Sequence, residues 1–123
     1  MRISAAERKV MEVLWDASPL GAAEVARAVA PEGWSDRTVK TMLSRLVAKG
    51  ALSAEPEGRR HLYAPLVERD AHDRQAVAKL SERLFGGRAA PMVAHLADGR
   101  GLSGDDLDEL EALVRALRAE AER

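Results

Sequence analysis

The chain has 123 residues, 46% hydrophobic and 32% charged, which suits one soluble domain or one small domain with an appendage. It has no cysteine, which excludes disulfides, thiolate metal sites, cysteine nucleophiles and thiol redox sensing. The net charge of −1 hides a segregation: Trp34 to Ala64 carries six basic residues against three acidic ones, Leu102 to Arg123 seven acidic against three basic.

Ser4-Ala5-Ala6-Glu7 is a capping-box pattern and predicts a helix to about Asp16, with Ala6, Val10, Val13 and Leu14 on one stripe. Ser18-Pro19-Leu20-Gly21 reads as a break, and a short second helix follows from about Ala22 to Ala30, ended by Pro31-Glu32-Gly33. Ser35 caps a third helix running to about Lys49, with Trp34 and Val39 placed as a hydrophobic staple and Gly50 as the closing glycine. Leu52–Glu55 and Arg60–Ala64 read as a β-hairpin turning around Pro56-Glu57-Gly58, with Arg59 and Arg60 at its tip, where the cations of a wing are expected to contact the DNA backbone. Helices are then predicted over about Glu68–Phe85, stopped by Gly86-Gly87, over Ala90–Ala97, and from a Ser103 cap to near the end. No apolar run approaches the ~20 residues of a membrane span, and Met1-Arg2-Ile3-Ser4 opens no signal-peptide core. A cytoplasmic location without membrane insertion is therefore expected.

The third helix is the informative surface. At 100° per residue, Val39, Met42, Leu43, Leu46 and Val47 fall on an arc of about 140° facing a core. Arg37, Thr38, Thr41, Ser44, Arg45 and Ala48 share the opposite face, with Lys40 at its rim, and that face has no acid. Long cations and short hydroxyls with a small residue for close approach suit a B-DNA major groove, where arginine and lysine meet guanine edges or phosphates. Three helices followed by a basic hairpin is the order of a winged helix-turn-helix. The expected fold is mainly α: a winged helix-turn-helix of three helices plus a β-hairpin wing over residues 1–67, then a helical region over 68–123. Aromatics make up only 3% of the chain, which argues against a base-stacking single-strand platform.

Three segments carry a family resemblance. Ser4-Ala5-Ala6-Glu7 through Val13-Leu14-Trp15-Asp16, the run Ser35 to Gly50, and Leu84-Phe85-Gly86-Gly87 with Leu102-Ser103 and Asp108-Glu109-Leu110 together resemble the penicillinase-repressor family of winged-helix repressors. The resemblance covers nearly the whole chain and implies a homodimer that represses transcription from a palindromic double-stranded DNA operator. It places the reading positions on Arg37, Thr38, Lys40 and Thr41, the same positions that the helical wheel selects together with Ser44 and Arg45. It also implies relief by an inducing signal. Copper-responsive relatives carry a C-terminal Cys-x-Cys pair, which is absent here. β-Lactam-responsive relatives are cleaved at an Asn-Phe bond in the dimerisation region, with a membrane metalloprotease sensor as partner. By spacing, that bond falls on His95-Leu96.

After a complete winged domain, Val77, Leu80, Leu84, Leu107, Leu110, Leu113 and Leu117 form apolar stripes with little left to pack on, so they are assigned to dimerisation. His61, His72 and His95 have no metal-ligand spacing. Glu68 and Asp73 near His72 read as solvated charge, so no metal and no cofactor are expected. Trp15 and Trp34 read as core or staple residues, and Tyr63 as a wing residue for which packing and phosphate contact both remain open. No nucleophile elbow, phosphate loop or His-Glu-x-x-His is present, so the chain is read as no enzyme. A protein-interaction module on the same scaffold is the alternative. Such a module would carry aromatic or leucine anchors where this chain has cations.

Overall fold

The computed structural model describes all residues from Met1 to Arg123. Helix α1 spans Ala5–Asp16, β1 Leu20–Gly21, α2 Ala22–Ala28, α3 Asp36–Ala48, β2 Leu52–Glu57, β3 Arg60–Pro65, α4 Arg69–Phe85, α5 Ala89–Gly99 and α6 Gly104–Ala121, with a single 3-10 turn at Ala30–Glu32. The chain divides into two compact units, Met1–Gln75 and Ala76–Arg123.

The first unit is built around one apolar cluster. Val10, Met11 and Leu14 of α1, Val25 of α2, Val39, Met42, Leu43 and Leu46 of α3, and Ala51 and Leu52 are all buried. Each large side chain taken fully out of water contributes about 1.5–3 kcal/mol, so this cluster is the main source of the unit's stability. The Ser4–Glu7 capping box forms as expected: Ser4 Oγ accepts the Glu7 N–H at 3.1 Å, and Glu7 Oε1 accepts the Ser4 N–H at 2.9 Å. Trp34 packs half-buried against the cluster, in keeping with a staple at the start of α3.

The sheet differs from the sequence reading in two ways. It has three strands in the order β1-β3-β2, all antiparallel. Leu20 and Gly21, read as a break, pair with Tyr63 and Leu62. The hairpin is also longer than expected. Glu57 faces Arg60, so the turn is Gly58-Arg59 and Pro56 lies inside β2. Gly58 has φ +62° and the next residue a negative φ, the pattern of a two-residue type II′ turn whose twist matches the flanking strands. Pro56 has no N–H to give, and β2 is an edge strand where none is needed.

The first unit runs on to Gln75, about two helical turns past the expected boundary at residue 67, because the start of α4 is tied to α1. Arg8 pairs with Asp73, and Arg69 Nη2 lies 2.8 Å from Asp16 Oδ1. Trp15 Nε1 donates to the Val67 carbonyl at 2.9 Å, and the guanidinium carbons of Arg8 and Arg69 each sit 5.4 Å from its ring centroid. Trp15 is thus half-buried and acts as a clasp for the chain leaving the wing.

In the second unit the N–H groups of Gly86 and Gly87, both at positive φ, close α4 onto the carbonyls of Glu82 and Ser81. Ser103 caps α6, accepting the Asp106 N–H at 3.0 Å while Asp106 accepts the Ser103 N–H at 3.0 Å. No residue of α4, α5 or α6 is buried. No helix is long and apolar enough to cross a membrane.

Candidate nucleic-acid interface

Helix α3 presents its two faces as the period requires. Val39, Met42, Leu43 and Leu46 are buried and Val47 is half-buried, while Arg37, Thr38, Lys40, Thr41, Ser44, Arg45 and Ala48 are exposed. Ser35 Oγ accepts the Thr38 N–H at 3.1 Å, which fixes the first turn, and its hydroxyl lies 3.0 Å from that of Thr38. Thr41 donates its hydroxyl to the Arg37 carbonyl at 2.9 Å, which leaves its methyl group and an oxygen lone pair facing out. Arg37, Lys40 and Arg45 take part in none of the molecule's ion pairs. They can meet an anion without first giving up a carboxylate.

The wing separates the two arginines that the sequence grouped. Arg59 occupies the turn and has no ion-pair partner, whereas Arg60, on β3, is held between Glu24 of α2 and Glu57 of β2. Those hydrogen bonds, Glu57 first and then Glu24, push the Arg60 pKa up. Lys40 and Ser44 of α3, Ala23 of α2, and Arg59, Arg60 and Tyr63 of the wing line one shared concavity. Exposed cations from two elements therefore border a single depression beside the α3 face.

A second charged pair lies behind α3. Lys49 Nζ donates to Glu7 Oε1 at 2.6 Å and to the Arg2 carbonyl at 2.9 Å. The Glu7 side chain is only 7% exposed. Burial works to raise its pKa, but the bonds from Lys49 and Ser4 outweigh that and hold it below the usual carboxylate value. Sequence reading found Glu7 only as a capping residue.

In the second unit Val77, Leu80, Leu84, Leu107, Leu113 and Leu117 are exposed, at between 41% and 58%, and Leu110 is half-buried. His95 and Leu96 lie inside α5. The His95 ring packs edge-on against Phe85 with centroids 5.0 Å apart, its Nδ1 is 3.0 Å from the Pro91 carbonyl, and Leu96 is 50% exposed. Of the other histidines, His72 packs against the Trp15 ring at 6.1 Å, and His61 is exposed on β3.

Residues 3–116 match the penicillinase repressor family. The chain belongs to that family. A penicillinase repressor of Bacillus licheniformis is 34% identical over 114 residues, covering 92% of this chain and 89% of that one. The DNA-binding domain of the repressor BlaI, solved in solution, is 40% identical with a TM-score of 0.52, covering 55% of this chain and 84% of that one. The monomeric form of B. licheniformis BlaI, solved in complex with the blaP half-operator, is 39% identical with a TM-score of 0.50, covering 57% and 87%. The penicillinase repressor family is one of transcriptional regulators rather than enzymes, and this member has its winged helix-turn-helix fold.

Proposed function

We propose that the chain is a homodimeric transcriptional repressor that reads a palindromic double-stranded operator with α3. Arg37, Thr38, Lys40, Thr41, Ser44 and Arg45 face the major groove, and Arg59 of the wing meets the backbone. The observation that carries this reading is the α3 face itself, which holds three arginine and lysine side chains without ion-pair partners and no carboxylate. Support comes from the BlaI half-operator complex, whose protein is 39% identical to this chain. The exposed stripes of the second unit support pairing of two chains, since contiguous apolar surface of that kind is rare on monomers. Two reading helices related by a two-fold axis meet half-sites about one helical turn apart, or a multiple of it.

The experiment is selection of duplexes from a random-sequence pool by the full-length chain, followed by footprinting of the winners. Inverted repeats protected at helical-turn spacing are expected. Enrichment of nothing, or of unrepeated sites bound by one chain, sinks this reading.

Induction by proteolysis at His95-Leu96, with a membrane metalloprotease sensor as partner, is the finer branch of the proposal. The bond lies within α5, so cleavage there requires local unwinding. It would release α6 with Leu107, Leu110, Leu113 and Leu117 and leave Met1–Gln75 whole. Intact-mass measurement of the chain from induced cells should then show a product ending at His95. A chain that stays full-length during induction removes this branch.

A further inference from the structure

Arg60 stands at the base of the wing turn with its guanidinium forked between two carboxylates. Nη1 donates to Glu24 Oε1 at 2.9 Å, and Nη2 to Glu57 Oε1 at 3.3 Å. The same Glu24 oxygen accepts the N–H of Gly21, the residue capping α2, at 3.2 Å. Gly21 is in turn paired with Leu62 of β3. One carboxylate oxygen therefore joins the first turn of α2, β1 and the wing. Gly21 provides the room for this arrangement: a Cβ there would lie 3.1 Å from Arg60 Nη1 and 3.6 Å from its Cδ. Its φ of −82° is open to any residue, so it is space and not backbone freedom that glycine supplies here.

We infer that Glu24 and Arg60 are positioning residues for DNA binding. They hold the wing against α2 so that Arg59 and Lys40 keep a fixed separation, and Arg60 itself neutralises no phosphate. This rests on the reading of α3 and the wing as the DNA contact. A guanidinium shared by two carboxylates offers an approaching phosphate no net positive charge, and withdrawing it would leave both acids bare beside the DNA. A two-stranded ribbon is marginal on its own, so fixing it in advance lowers the ordering cost of binding. Simple charge repulsion gives the opposite sign for Glu24, since removing an acid near DNA should tighten binding. The sign of the effect therefore separates the two accounts.

The test compares salt-dependent affinities of full-length variants for a duplex selected by the parent chain. Glu24→Ala should weaken binding about two- to fivefold, the scale of an exposed ion pair, with the parent salt slope. Arg60→Gln should do the same, and the double variant should be no worse than either single one. Arg60→Lys should bind more weakly than the parent, because one ammonium nitrogen on a shorter side chain must reach the two acids that Nη1 and Nη2 meet separately, whereas a phosphate contact would accept lysine. Gly21→Ala, which changes no charge, should weaken binding by pushing the guanidinium aside. Arg59→Ala should lower the salt slope by about one. The inference is overturned if Glu24→Ala binds as tightly as the parent or more so. It is equally overturned if Arg60→Lys restores parent binding, or if Arg60→Gln lowers the slope by about one. Arg37→Ala is the control: if it too binds like the parent, the reading of α3 fails rather than the role of Glu24.

Discussion

Arg37 is the second residue of α3, exposed and in no ion pair, so its guanidinium is ready for a bidentate contact with guanine. Arg37→Ala should cost about 1–3 kcal/mol of operator binding, measured by gel shift or fluorescence anisotropy, while the far-UV circular dichroism stays that of the parent. Equal binding would place the contact on another element. Glu7 makes a different kind of prediction. Its folded pKa lies below the usual carboxylate value, so its pairing with Lys49 stabilises the fold above that value and is lost as pH falls through the folded one. The urea midpoint should drop as pH falls from the usual carboxylate value through the lower folded one, and less steeply in Glu7→Gln, which at neutral pH should be about 1–3 kcal/mol less stable. A variant with the parent's pH profile would assign the acid sensitivity to other carboxylates. At this scale the sequence shows which side chains share a helix face, because a 3.6-residue period is local information. It does not show that Glu7 meets Lys49 or that Glu24 meets Arg60, since those partners lie 42 and 36 residues apart.

Helix α3 depends on its first turn, which Ser35 holds by accepting the Thr38 N–H. Ser35→Ala should lower stability by about 0.5–2 kcal/mol in chemical denaturation, with no change in the buried face of the helix. A loss near zero would mean that Trp34 and the packed side of α3 hold that end alone. Among the elements, helices with caps and stripes were legible: Ser4, Ser35 and Ser103 all cap where the residues place them. Strand β1 was not. Two residues have no periodicity to read, and Leu20 and Gly21 are extended only because β3 offers them a partner. The wing turn was misplaced for a related reason. Pro56 and Gly58 both signal turns, and only pairing with β3 shows that the proline belongs to an edge strand and Gly58 to the turn.

For the whole molecule the deciding fact is that the second unit keeps its leucines on the surface of a single chain. Sedimentation analysis should therefore find a dimer at micromolar concentration for the full chain and a monomer for residues 1–75, which should bind the operator more weakly by orders of magnitude through lost avidity. A monomeric full chain, or a truncated one that binds as tightly as the parent, would contradict the pairing. The helical spacing of these apolar residues was visible in sequence, and the structure adds that most of their side chains stand exposed. The length of the first unit was not visible in sequence, because the clasp of Trp15 by Arg8 and Arg69 lies in tertiary contacts.

The absence of any buried residue in α4, α5 and α6 also bears on what happens when the protein becomes scarce. In the proposed dimer these helices are held in part by the partner chain, so their apparent stability follows mass action. Dilution then acts on that half as a denaturant does. In a thermal melt its transition should move upward with protein concentration, while that of Met1–Gln75, with its own core, should stay fixed. Inside a cell the same coupling makes scarce copies the ones most exposed to degradation, so the repressor's level would fall away faster than its synthesis, and the switch it controls would gain a threshold from folding alone.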